Sequence, residues 1–148
     1  MSVDVDFFFN MEGSPQDVAE QINDVLNCQL SPLDDPDSFG CSFFGMNIHL
    51  LAHHGCLNDG QLDFERYRFL LGTTTYWGQS RLRTLQVDVL AMAVHLLLEQ
   101  MAIGSGILTY ELSTLLAEYH VEQGVPYDRL AKKQVMFPEH LYDLAHRL

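Results

Sequence analysis

The chain has 148 residues, of which 47% are hydrophobic and 19% charged, values of a globular protein with a core rather than of a disordered one. Its length suits one domain, 1–148. A net charge of −12 argues against nucleic acid and anionic membranes as partners, because both would be repelled.

Strand spacing comes first. In "VDVDFFF", Val3, Val5, Phe7 and Phe9 share one face and Asp4, Asp6 and Phe8 the other. "GSPQDVAEQINDVLNC" switches to helical spacing through Val18, Ile22, Val25 and Leu26, with Ser14 as N-cap and Pro15 at the first helical position. "QLSPLDDPDSFG" reads as a loop. "CSFFGMNIHLLAH" alternates again, Phe44, Met46, Ile48, Leu50 and Ala52 opposing Asn47, His49 and His53. After the turn-rich "HHGCLNDG", "RYRFLLGTTTY" is a third strand, with Tyr67, Phe69 and Leu71 on one face and Arg66 and Arg68 on the other. "LDFE" is out of phase with it, which calls for a bulge or a late strand start.

"SRLRTLQVDVLAMAVHLLLEQMAI" predicts a long helix with an apolar stripe of Leu82, Leu85, Val89, Met92, Ala93, Leu96 and Leu97. Its Asp88, His95 and Glu99 read as a buried helix rather than a membrane span. "GSG" stops it, "ILTYEL" is a fourth strand, and "STLLAEYHVE" and "PEHLYDLAHRL" follow as helical patterns. The order is βαββαβ over 1–112 with a helical tail over 113–148, a ferredoxin-like α+β arrangement. Right-handed crossovers put both helices on one face of an antiparallel sheet and make the first and third strands neighbours. The face left open would carry Asp4, Asp6, Arg66, Arg68, Asn47, His49, Phe8 and Leu70, with the two aspartates opposite the two arginines.

Three histidines, a cysteine and an aspartate crowd the stretch from His49 to Asp59. In a strand, His49 and His53 stand about 13 Å apart and cannot share a zinc ion. His53, His54, Cys56 and Asp59 remain as an incomplete ligand set, the basis of a metal-dependent enzyme reading. The preferred reading is a polar hairpin tip with no metal and no cofactor. No HExxH, paired CxxC or GxSxG occurs, so no catalytic residue is assigned. Cys28, Cys41 and Cys56 read as free thiols in a reducing compartment. The opening "MSVDVDFFF" has acids where a signal peptide needs bases, which points to the cytoplasm.

Charge is distributed unevenly. No Lys or Arg precedes Arg66, whereas twelve acids do, and from Arg66 onward acids and bases balance. The surplus is expected to form one electronegative patch that meets a basic protein, with Asp34, Asp35 and Asp37 as contacts and Tyr76 and Trp77 as apolar anchors. On "RYRFLLGTT", the long helix after it and "GILTYELSTLLAEYH", the chain resembles the small acidic α+β immunity proteins of bacterial toxin systems. That resemblance implies a non-catalytic inhibitor that covers a toxin's active site with acidic and aromatic side chains. The alternative is a small-ligand-sensing or oligomerisation module whose open sheet face binds a metabolite or a second copy as a homodimer.

Overall fold

Alternation along β1 (Val3–Met11) sorts its side chains between two environments. Val5, Phe7 and Phe9 are fully buried in the main core, while Phe8 is fully buried in a second cluster on the opposite face. The computed structural model describes residues 3–43, 46–59, 62–75, 89–90, 92–94, 96–110 and 112–120.

The helix α1 (Pro15–Leu26) begins with a capping box. Ser14 Oγ accepts from the Asp17 N–H at 3.1 Å, and the Ser14 N–H donates to Asp17 Oδ2 at 3.4 Å. Such an N-cap is worth about 1 kcal/mol. Val18, Ala19, Ile22 and Leu26 form its buried stripe, and Asn27 ends it in the left-handed conformation with φ 52°.

β2 (Ser31–Pro32), β3 (Ser38–Phe43), β4 (Met46–Leu51), β5 (Phe69–Thr75), β6 (Ile103–Tyr110) and β7 (Thr114–His120) join β1 in one seven-stranded sheet. Its order is β2-β3-β4-β5-β1-β6-β7 and every pairing is antiparallel. A second helix, α2, is described over 89–90, 92–94 and 96–100. Its Leu90, Ala93, Val94, Leu97 and Leu98 enter the same core cluster as the stripe of α1, together with Val5, Phe7 and Phe9. Both helices therefore cover one face of the sheet. Burying each of these phenylalanines contributes roughly 1.5–3 kcal/mol of transfer free energy before conformational entropy is subtracted.

The chain is thus mixed α+β, and the first and third predicted strands, β1 and β5, are neighbours. Several expectations are corrected. The single strand expected over "CSFFGMNIHLLAH" is a hairpin, with β3 and β4 paired from Ser38↔Leu51 to Phe43↔Met46. Alternation is blind to chain reversal, since both arms of a tight hairpin alternate. The expected loop before it contains β2. "STLLAEYH" is not helical: Thr114–His120 is the edge strand β7, following a turn in which Leu112 has φ 57°. Seven residues are too few for a helical period to be distinctive, and the free edge of β6 supplies pairing that no local pattern can announce. The remainder of the expected tail, 121–148, lies outside the described residues.

The expected stripe of α2 is also turned. Leu96 is exposed and Met92 only half-buried, whereas Leu90, Val94 and Leu98 are buried. Leu82, Leu85 and Asp88 lie outside the described residues. β5 starts late, at Phe69, so Tyr67 leaves the alternation and joins the second cluster. Among the described residues no helix is long and apolar enough to cross a membrane.

Candidate functional site

The face opposite the helices has two halves. Phe8 (β1), Leu70 (β5) and Ile107 (β6) form an apolar half, which the β4–β5 connection covers with Phe64 and Tyr67. Phe8 and Leu70 are therefore core residues of a second cluster rather than an open surface. The connection is held by its own hydrogen bonds. Asp59 and Leu62 exchange backbone bonds of 3.0 and 2.8 Å, and Asn58 Oδ1 accepts from the Glu65 N–H at 2.9 Å.

His54 is central to that connection. Its Nδ1 accepts from the Cys56 N–H at 3.0 Å, so the proton sits on Nε2, which donates to the Tyr67 carbonyl at 2.7 Å. The ring stands edge-on to Phe8, centroids 5.2 Å apart. Both nitrogens are thereby engaged. His53 instead donates from Nε2 to Asp37 Oδ2 at 3.2 Å, an exposed pair that water screens. The Cys56 thiol rests at 3.8 Å from the His54 carbonyl, and Asp59 pairs through its backbone with Leu62. His53, His54, Cys56 and Asp59 do not converge, and among the described residues no group of three or more His, Cys, Asp or Glu could hold a metal ion.

The polar half is set by register. Asp4 lies across from Thr74, which also faces Asn47, and the Thr74 hydroxyl donates to Asp4 Oδ1 at 3.0 Å. Asp6 and His49 both lie across from Gly72, one from each side. Asp6 is only 4% exposed. With no side chain at Gly72, the Asp6 carboxylate and the His49 imidazole both reach over it. Burial lowers the pKa of His49 from its ordinary 6.5, with the Asp4 carboxylate opposing. Burial also raises the Cys56 thiol, and the Asp6 carboxylate adds to that.

Asn47 and His49 thus lie on the same face as Asp4 and Asp6, but Arg66 and Arg68 do not oppose the aspartates. Both arginines precede β5. Arg68 lies over the Phe69 ring at 4.5 Å and donates to the Met11 carbonyl at 3.2 Å, while Arg66 lies over Tyr67 at 5.3 Å. Asn10 anchors this segment, accepting from the Arg68 N–H at 2.8 Å and donating to the Arg66 carbonyl at 2.9 Å. The late start of β5 is the physical reason: the register needed to bring Arg66 to Asp6 is taken by Gly72.

The depressed His49 pKa predicts a pH dependence. A lowered folded-state value means that the unfolded chain binds the extra proton first. The stability this group contributes is full above pH 6.5 and is lost as pH falls through the lowered value. Asp4 and Asp6 are the charged groups beside it, on β1 across the intervening β5. Thermal melts at pH 7 and pH 5 are expected to show a smaller loss for His49→Gln than for the parent chain. Equal losses would remove His49 as the cause.

The second candidate is the turn between β2 and β3. Asp34 and Asp35 are exposed and Asp37 is half-buried. Asp35 Oδ1 accepts from the Asp37 N–H and Oδ2 from the Ser38 hydroxyl, both at 3.1 Å. Those two bonds, that from the Asp37 N–H foremost, hold its carboxyl below the usual carboxylate range. Backbone bonds from Leu33 N–H to the Ser38 carbonyl at 2.9 Å and from Ser38 N–H to the Asp35 carbonyl at 3.0 Å close the turn. The Ala52 N–H donates to the Asp37 carbonyl at 3.3 Å and ties the turn to the end of β4.

The acids as a whole do not form one patch. Asp17, Glu20 and Asp24 are exposed on α1, which covers one sheet face, and Asp4 and Asp6 belong to the other. Tyr76 and Trp77 lie outside the described residues. Gly72 was missed as a site residue, although a glycine inside an alternating strand is itself a mark of close approach. Compared with family models, with curated proteins and with solved structures, the chain matches none.

Proposed function

We propose that the chain is a non-catalytic acidic binding protein, an immunity-type inhibitor that neutralises a bacterial toxin in the cytoplasm by covering a basic surface. The observation that carries this reading is the turn Asp34–Asp37: three carboxylates at a sheet edge, in a turn that Asp35 ties to the Asp37 N–H and the Ser38 hydroxyl, within a stretch of 65 residues without a Lys or Arg. Ordering before contact lowers the entropic cost of association. The acids elsewhere on the surface steer encounter rather than form the contact. Tyr76 and Trp77 are kept as the proposed apolar anchors.

The finer architecture is proposed alongside. β1, α1, β4, β5, α2 and β6 would form a ferredoxin-like βαββαβ core, extended by β2 and β3 at one edge and β7 at the other. The central order β4-β5-β1-β6, with both helices packed into one cluster, supports it.

A tagged chain is expected to capture a basic protein encoded beside it at low salt. Capture should fall steeply toward about 1 M salt, where the Debye length is about 3 Å. Asp34→Lys with Asp37→Lys should abolish capture while leaving the melting temperature within a few degrees. Retention of the partner by this variant, or insensitivity to salt, would remove the turn as the contact. A second reading, a ligand-sensing or dimerising module, is favoured by the buried Asp6 beside His49 on the polar half of the sheet. A dimer by light scattering, lost in an Asn47→Arg variant, would favour that reading instead.

A further inference from the structure

Cys28 and Cys41 are thirteen positions apart in sequence and meet at one place on the surface. Cys28 follows the left-handed Asn27 that ends α1, and Asn23 fixes its surroundings. Asn23 Oδ1 accepts from the Cys28 thiol at 3.4 Å and from the Leu30 N–H at 2.7 Å, while Nδ2 donates to the Leu30 carbonyl at 3.2 Å. Cys41 belongs to β3 and pairs with Ile48, a residue of the main core. Both cysteines are free, half-buried and packed against that core. Both line one open cavity of about 560 Å³, and the Cys41 thiol is near enough to Cys28 to act on its ionisation. A cavity of this size admits a small molecule.

We propose that Cys28 and Cys41 form an oxidisable dithiol, closed to a disulfide by a small-molecule disulfide that enters the cavity. The Cys41 thiolate attacks one sulfur of the reagent, forming a mixed disulfide and releasing the first small thiol. The Cys28 thiolate then attacks the Cys41 sulfur, and the second small thiol leaves. Two protein thiols are oxidised, one reagent disulfide is reduced to two thiols, and each departing thiolate takes up the proton a cysteine gave up. Burial and the neighbouring Cys41 sulfur push the Cys28 thiol up to about 11. That makes its thiolate scarce at neutral pH and suits it to the second step, where proximity offsets low reactivity.

The ring closed by this bond encloses residues 29–40, and so Asp34, Asp35 and Asp37. Oxidation fixes both feet of the acidic turn, a consequence for partner binding that rests on the binding reading, whereas the disulfide itself does not.

The test uses the full chain and glutathione disulfide, followed by alkylation and peptide mapping under non-reducing conditions. The expected product is a Cys28–Cys41 cross-linked peptide with Cys56 still open to alkylation. The oxidised chain should melt roughly 5–10 °C higher, and dithiothreitol should reverse the shift. Cys28→Ser should stop at a mixed disulfide on Cys41. Glutathione retained on the parent chain without a cross-link, a cross-link that includes Cys56, or a disulfide-linked dimer would each overturn the proposal. Partner capture by reduced and oxidised chain is scored separately, so a failed binding reading leaves the cross-link result intact.

Discussion

Gly72→Ala is expected to cost about 3 kcal/mol or more of folding stability, although glycine inside a strand is ordinarily a weakness that alanine relieves by roughly 0.5–1 kcal/mol. The sign reverses because of what stands on either side. A Cβ at this position would overlap Asp6 Oδ1 and sit 2.5 Å from His49 Nε2 and 2.9 Å from Cε1. Asp6 is 4% exposed, so its carboxylate has little open space to move into. Either the side chains leave their rotamers or β5 shifts against β1, and forced overpacking of this kind costs about 1–3 kcal/mol. Displacing a buried carboxylate from its surroundings adds to that, on the order of 3 kcal/mol where a buried charge is left uncompensated. Urea unfolding should show a lower midpoint at an unchanged slope. Gly104→Ala is the control. Gly104 is exposed on β6, and a Cβ there meets nothing nearer than the Asn10 carbonyl at 3.7 Å, so its stability should be within about 0.5 kcal/mol of the parent. Truncating His49 to alanine beside the new methyl group should recover part of the loss, since one of the two opposing groups is gone. If Gly72→Ala unfolds at the parent's urea concentration, the two polar groups are not confined over this glycine.

Local rules were most readable where a single period or cap decides the outcome. Ser14, Pro15 and the Val18–Ile22 spacing announce α1, and the structure starts and buries it there. Val5, Phe7 and Phe9 announce the core-facing side of a strand in the same way. What the chain order alone does not carry is partnership. The reversal between Phe43 and Met46 leaves the alternation intact on both sides, so one strand was expected where two pair. β7 owes its form to the open edge of β6, a partner with no signature within seven residues. The polar half of the sheet was half legible: alternation put Asp4, Asp6, Asn47 and His49 on one face, but register decided that Gly72 stands between Asp6 and His49 and that the arginines stand clear. The thiol pair could not be read at all, because Cys28 and Cys41 are brought together by the end of a helix and a neighbouring strand, with no spacing rule to connect them.

Phe8→Ala is expected to remove about 3–5 kcal/mol and to do so unevenly across the molecule. Phe8 is fully buried, its ring centroid 4.7 Å from that of Phe64 and 5.2 Å from that of His54, with Tyr67, Leu70 and Ile107 completing the cluster. It contributes nothing to the cluster beneath the helices, where Phe7 and Phe9 stack at 5.1 Å. Truncation therefore empties the seat of the β4–β5 connection and leaves the helix-covered core filled. The ring meets both Phe64 and His54 of the connection, so the opening free energy of that segment should fall most. Hydrogen exchange is the measurement that separates the two cores. In Phe8→Ala the Cys56, Glu65 and Tyr67 amides, which donate to His54 Nδ1, Asn58 Oδ1 and the Phe64 carbonyl, should lose protection before the amides of β5 and β6. In Phe7→Ala, a truncation of similar size, all of them should weaken together as global stability drops. Loop amides that keep their full protection in Phe8→Ala while the sheet remains folded would mean that the Asp59–Leu62 and Asn58–Glu65 bonds hold the connection without the ring beneath it.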